Sequence, residues 1–146
     1  MRTATFTVEM KPRGKDRPRV VRAGGFARTY TPKETTIAEA QVRETFRHEC
    51  KHDWPDAVTD SPITMSVVAY FMPPKRLLTK KHAASIEAET LRHTTKPDGD
   101  NVLKLVADAL DGIAYRSDSL ITDAEVHKRY SLVPRIEIRL TELDSE

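Results

Sequence analysis

Apolar residues recur along the chain with two periods. Residues 3–10, TATFTVEM, set Ala4, Phe6, Val8 and Met10 at every second position, the period of a half-buried strand. Residues 63–72, ITMSVVAYFM, repeat the pattern with Ile63, Met65, Val67, Ala69 and Phe71. LITDAEVHKRY and RIEIRLTEL near the C-terminus alternate as well, and an antiparallel pair joined around Pro134 is predicted for them. After the first strand, KPRGKDRPRVVRAGGFARTY carries two prolines and the pair Gly24-Gly25, which mark a loop with a short hairpin at the glycines.

The pattern then turns helical. TPKETTIAEAQVRETFRHECKH places Ile37, Ala38, Val42, Phe46 and Cys50 on one predicted buried stripe. Thr31 fits an N-cap, Pro32 the first helical position, and Glu34 completes a capping box. A polar loop from Pro55 to Pro62 follows. PPKRLLTKKHAASIEAET is expected to pass from a basic loop into a helix near 79–90, and a third helix is expected near 100–111, stopped by Gly112. Four main strands and three helices in this order predict an α+β fold. It would be a single domain over residues 1–146, a mixed or antiparallel sheet of about four strands with helices packed on one face.

The third helix stands apart. On a wheel of about 100° per residue, Asp100, Asn101, Lys104, Asp108 and Asp111 fall within an arc of about 100°, and apolar residues fill the rest. A buried helix with one narrow polar seam is the result. Asp98 or Asp100 could cap this helix, and Lys104 with Asp108 could be an ordinary i,i+4 pair. Yet two carboxylates stand where one would suffice, and such pairs also hold Mg²⁺, which keeps several waters and needs few protein ligands. An EF-hand is excluded, because DGDNVLKLVADA turns apolar at its fifth and sixth positions and ends in alanine. Asp118 is a candidate third acid. The helix spans about 17 Å and the seven residues to Asp118 about 23 Å when extended, so a turn at Gly112 could bring it back, although a turn residue between Ser117 and Ser119 fits equally.

Composition narrows the class. The chain has 146 residues, 38% hydrophobic and 32% charged, which suits one ordinary globular domain. No apolar stretch has the length of a membrane span and no signal-peptide core opens the sequence, so a cytoplasmic protein without a membrane partner is expected. The single cysteine, Cys50, forms no internal disulfide or cysteine zinc cluster and reads as a small apolar residue. Net charge is only +2, but residues 11–33 hold eight lysines and arginines against Asp16.

TKPDGDNVLKLVADALDGIAYRSDSLI closely resembles the signature of the RusA family of Holliday junction resolvases, which are typically encoded by phages and prophages. GKDRPRV and TYTPKET are similar to that family's N-terminal region. The resemblance implies an α+β homodimeric endonuclease that cuts four-way or otherwise branched DNA with Mg²⁺ or Mn²⁺ in recombination and repair, in the cytoplasm of a bacterium or a phage-infected cell. Carried over by motif, the metal ligands fall on Asp98, Asp100 and Asp118, and the catalytic lysine on Lys104. Asn101 and Asp108 fall on supporting positions, Asp108 tethering Lys104 or Asn101. Two positions depart from the family: Gly99, usually a bulky apolar residue, and Ser117, often a further aspartate. The chemistry fits, since phosphodiester hydrolysis needs an acidified water and cations to offset charge on phosphorane and leaving oxygen.

Lys11, Arg13, Lys15, Arg17 and Arg19 recur at every second residue, which in an extended segment sets them on one side, toward a phosphate backbone. Arg17 and Arg19 are the first candidates for DNA contact, then Arg13 and Lys15. Lys75, Arg76, Lys80 and Lys81 form a second patch, and Lys96 abuts the acids. His93, Tyr30 and Trp54 are expected to be structural. Two other functions remain open: a branched-DNA nuclease of broader preference, and a non-catalytic DNA-binding module whose acids are structural.

Overall fold

The computed structural model describes residues 2–16, 19–30, 32–54 and 58–144, with side chains except at positions 19, 21, 23, 26 and 28–30. In chain order the elements are β1 (Thr3–Val8), β2 (Arg19–Ala23), β3 (Phe26–Tyr30), α1 (Lys33–Glu49), β4 (Ile63–Phe71), α2 (Lys80–Glu87), α3 (Gly99–Leu110), β5 (Ile121–Tyr130) and β6 (Arg135–Glu142). The predicted α+β class and the hairpin at Gly24-Gly25 are both present.

The main sheet has the order β1-β6-β4-β5. β6 is antiparallel to β1 and to β4, whereas β4 and β5 are parallel. The expected antiparallel pairing of the last two strands is therefore corrected: β4 lies between them. A parallel neighbour requires a long crossover, and α2 and α3 occupy it. The connection after β5 then arches over the end of β4, where the Ser131 N–H donates to the Phe71 carbonyl, and enters β6 on the far side.

The strand alternation works as predicted. Phe6 and Val8 of β1, Ile136, Ile138 and Leu140 of β6, and Ile63, Met65, Val67 and Ala69 of β4 are all buried on one face. α1 covers this face with Ala38, Val42 and Phe46, and α3 with Val102, Leu105, Val106, Ala109 and Leu110. Trp54 is a core residue, its ring nitrogen donating to the Ala114 carbonyl at 3.0 Å. Cys50 is buried, and burial pushes its thiol up to about 11.

α1 differs from its predicted stripe. Ile37 is half exposed, and Thr35 is buried instead. The reason is polar: the Thr35 hydroxyl donates to Asp16 Oδ2 at 3.0 Å, so this face of the helix receives the chain that follows β1. Pro32 occupies the cap position rather than the first turn, and its carbonyl accepts from the Thr35 and Thr36 N–H groups. Thr31, the expected cap, lies outside the described residues, as does the side chain of Tyr30.

Candidate metal centre and its supports

α3 carries the narrow polar seam that its sequence predicts. Its buried arc faces the sheet and α1, while Asp100, Lys104 and Asp111 lie exposed. Asp98 is the cap residue in position but not in chemistry. Its carbonyl accepts from the Asn101 and Val102 N–H groups at 3.1 Å, and its carboxylate makes no capping bond. Among the described residues, neither the Asp98 nor the Asp100 carboxylate takes part in a hydrogen bond or ion pair. Two bare carboxylates thus sit within one turn, a donor set of hard oxygens suited to Mg²⁺ or Mn²⁺.

Asp118 does not join them within one chain. It begins a short 3₁₀ turn, and its N–H donates to Asp111 Oδ1 at 3.1 Å. Asp111 ends α3, so Asp118 sits at the opposite end of a helix about 18 Å long. Among the described residues no three acids, imidazoles or thiols converge closely enough to hold a metal. Asp118, Asp111 and Asp108 instead act electrostatically on the buried Tyr115, whose hydroxyl donates to the Ala107 carbonyl at 2.6 Å. Burial first, and these three carboxylates second, drive the Tyr115 hydroxyl far above the usual tyrosine range.

Lys104 lies one turn beyond Asp100 on the exposed seam, with Nζ 3.6 Å from Asp108 Oδ2. Asp108 is therefore a tether for Lys104, and it has a second cation. Lys15 Nζ stands 3.3 Å from the same oxygen and 2.7 Å from Glu39 Oε1 of α1. Burial opposes the Lys15 charge, but hydrogen bonds to Glu39 and Asp108 outweigh it and raise the ammonium above the usual lysine range. The Lys15 N–H also donates to the Asn101 carbonyl at 3.0 Å. A Cβ on Gly14 would come within 3.0 Å of both the Asn101 and Pro97 Cβ atoms, so this approach needs a glycine. Residues 12–16 thus form an arm lying across the start of α3, with a cleft of about 430 Å³ between arm, Lys96–Asp98 and Asn101.

Two members of the predicted row of cations are committed to acids. Lys15 is held between two acids, and Arg13 Nη2 pairs with Asp16 Oδ2 at 2.6 Å. Asp16 belongs to the arm itself, while α1 and α3 bring Glu39 and Asp108 to Lys15. Arg17 and the side chain of Arg19 lie outside the described residues. Lys96, Lys75, Arg76, Lys80 and Lys81 are exposed. His93 is structural, stacked on Phe71 with ring centroids 3.8 Å apart. Burial, then the nearby Lys128, lowers its pKa.

Three contributors carry little signal along the chain. Glu39 has no motif around it, although it fixes Lys15. Gly99 has a physical cause here: a Cβ there would meet Val126 Cγ1 of β5 at 3.1 Å. Lys128 of β5 donates from Nζ to the Thr95 and Pro97 carbonyls at 2.7 Å each. Its one signal is phase, since Lys128 alternates in step with Val126 and Tyr130.

The uncommitted Asp98 and Asp100, with Lys104 one turn along α3, bring hard oxygen donors and a cation to one side of an α+β domain. Residues 9–141 match the family model of endodeoxyribonuclease RusA, and the chain belongs to that family of nucleases. It is also 33% identical over 141 residues, 96% of each chain, to the uncharacterized protein YqaN of Bacillus subtilis (strain 168). Among the described residues no helix is long and apolar enough to cross a membrane.

Proposed function

We propose that this protein is a Mg²⁺- or Mn²⁺-dependent endonuclease that resolves four-way DNA junctions by paired phosphodiester hydrolysis, acting as a homodimer. The observation that carries this reading is the bare pair Asp98 and Asp100 with Lys104 one turn along the same seam. Acids serving the fold of a DNA-binding module would cap or pair, and among the described residues these do neither.

Asp98 and Asp100 would hold the cation. When bound, it supplies an acidified water and offsets charge on the phosphate. Lys104, exposed and only loosely tied to Asp108, offers its ammonium to a phosphate oxygen of the strand being cut. Lys96 beside Asp98, and Lys80 and Lys81 at the start of α2, contact the DNA backbone.

Asp118 supports the dimer. It lies a helix length from the other two acids, so a centre built from all three carboxylates would draw on two chains. Two copies with their α3 helices antiparallel about a two-fold axis would set Asp118 of one beside Asp98 and Asp100 of the other. The same axis provides two equivalent centres, as paired incisions require.

The test is cleavage of a synthetic four-way junction, alongside flap, fork and linear duplex controls, with Mg²⁺ or with EDTA. Asp100→Asn and Asp118→Asn should each abolish nicking while keeping junction binding. Mixed together, the two inactive variants should regain nicking of one strand, because the heterodimer contains one centre with every aspartate intact. Absence of metal-dependent cleavage by the wild type would sink the enzyme reading. Wild-type cleavage with no recovery on mixing would sink the shared centre alone.

A further inference from the structure

Lys128 lies in β5 opposite Ala69 of β4, and Val126 lies opposite Val67. Ala69 and Val67 are both buried in the face covered by the helices, so Lys128 leaves the sheet on its inner side. A cation there must find oxygens. Lys128 finds two, the main-chain carbonyls of Thr95 and Pro97, at 2.7 Å each. Bonds from a charged donor at this length are the strong kind. The Lys128 carbonyl in turn accepts from the His93 N–H at 3.1 Å, and the Tyr130 N–H donates to the Leu91 carbonyl at 2.9 Å. Residues 91–93 are therefore paired with the outer edge of β5, and the Lys128 side chain ties down the run that continues to Pro97.

Asp98 comes directly after this run. On its other flank Gly99 rests on Val126, with no room for an unhindered Cβ. Two neighbouring positions of one strand face, 126 and 128, thus hold the residues on either side of Asp98. The main chain of Asp98 is held while its carboxylate stays exposed and uncommitted.

We infer that Lys128 is a positioning residue of the metal centre: by holding the Thr95 and Pro97 carbonyls it fixes the backbone that presents the Asp98 carboxylate to the cation. This rests on the nuclease function proposed for the same centre. Lys128 itself touches neither cation nor DNA. Its loss frees the segment before α3, so binding of the cation must also order Asp98, and affinity for it falls.

The experiment compares the full-length wild type with Lys128→Met, which keeps the aliphatic stem and removes the donors. Mn²⁺ is titrated by calorimetry without DNA, and junction cleavage is followed over a range of Mn²⁺ concentrations. The variant should bind Mn²⁺ about 10-fold or more weakly, the scale on which supports of metal ligands act. Its half-maximal Mn²⁺ concentration for cleavage should rise in step, with the rate recovering at saturating metal and junction binding in EDTA unchanged. Lys128→Gln, which can still donate to one carbonyl, should fall between the two, and it decides the matter by the same measurements if Lys128→Met does not fold. Unchanged Mn²⁺ affinity, or a cleavage rate lost equally at every Mn²⁺ concentration, would overturn the positioning role while leaving the nuclease function standing. A wild type that neither binds Mn²⁺ nor cleaves the junction overturns both.

Discussion

Replacing Lys15 by methionine tests whether the N-terminal arm is held by charge or offers its charge to DNA. The ammonium lies 2.7 Å from Glu39 and 3.3 Å from Asp108, and the three side chains are only 16%, 13% and 21% exposed. An exposed ion pair contributes about 0–1 kcal/mol, whereas removing one partner of a fully buried pair costs about 3–5 kcal/mol. This bridge lies between those limits and nearer the buried one. Its loss also leaves Glu39 without its cation beside Asp108, which keeps only Lys104 at 3.6 Å, so a cost of about 2–3 kcal/mol is expected. For a chain of this size that lowers the melting temperature by roughly 5–10 °C. Thermal and urea unfolding at pH 7 measure it. Adding Glu39→Gln to the variant should recover part of the loss by removing the repulsion. The pH dependence has a definite sign. Because the folded-state pKa of Lys15 is raised, the stabilisation is complete at neutral pH and is lost as pH climbs through that raised value, so the gap between wild type and variant narrows in alkali. Junction affinity should keep its salt dependence. A variant that melts within about 1 °C of the wild type and loses about one unit of salt slope would refute the bridge and return Lys15 to a phosphate contact.

Two further outcomes are expected from the packing around α3 and β5. Gly99→Leu should destabilise by about 1–3 kcal/mol, since its Cβ alone would stand 3.1 Å from Val126, and Val126→Ala should relieve the strain; a singly substituted protein that melts at or above the wild type would contradict the close approach. His93 is held neutral by burial and by Lys128, so its depressed folded-state pKa removes stability as pH falls below the ordinary histidine range; His93→Gln should show a shallower loss between pH 7 and pH 5 in urea midpoints, and equal slopes in the two proteins would exclude this origin.

Much of the frame was legible along the chain. The alternation in residues 3–10 and 63–72 identified β1 and β4 and their buried faces, because backbone geometry sends successive strand side chains to opposite sides whatever lies beyond them. The glycine pair marked the turn between β2 and β3 for a similarly local reason, a backbone that needs positive φ at both positions. The wheel of residues 100–111 showed which side of α3 would be buried before any partner was known.

What the tertiary structure decided depends on the path of the chain. β5 and β6 both read as strands, but their neighbours were set by the crossover that places β5 parallel to β4 and sends the next turn over the end of β4. Ile37 read as core, but Thr35, about 200° away round α1, is the residue turned inward, where the arm after β1 brings Asp16 to its hydroxyl. Reach allowed Asp118 to approach Asp98; the chain instead keeps it beside Asp111. Charges show the same division. The sequence determined that residues 11–19 are cationic and that Asp98 and Asp100 stand together, because both are properties of adjacent positions. Only the fold decided that Lys15 is neutralised by Glu39 and Asp108 while Asp98 and Asp100 stay bare, because which oxygens a lysine meets depends on helices and strands far from it in the chain.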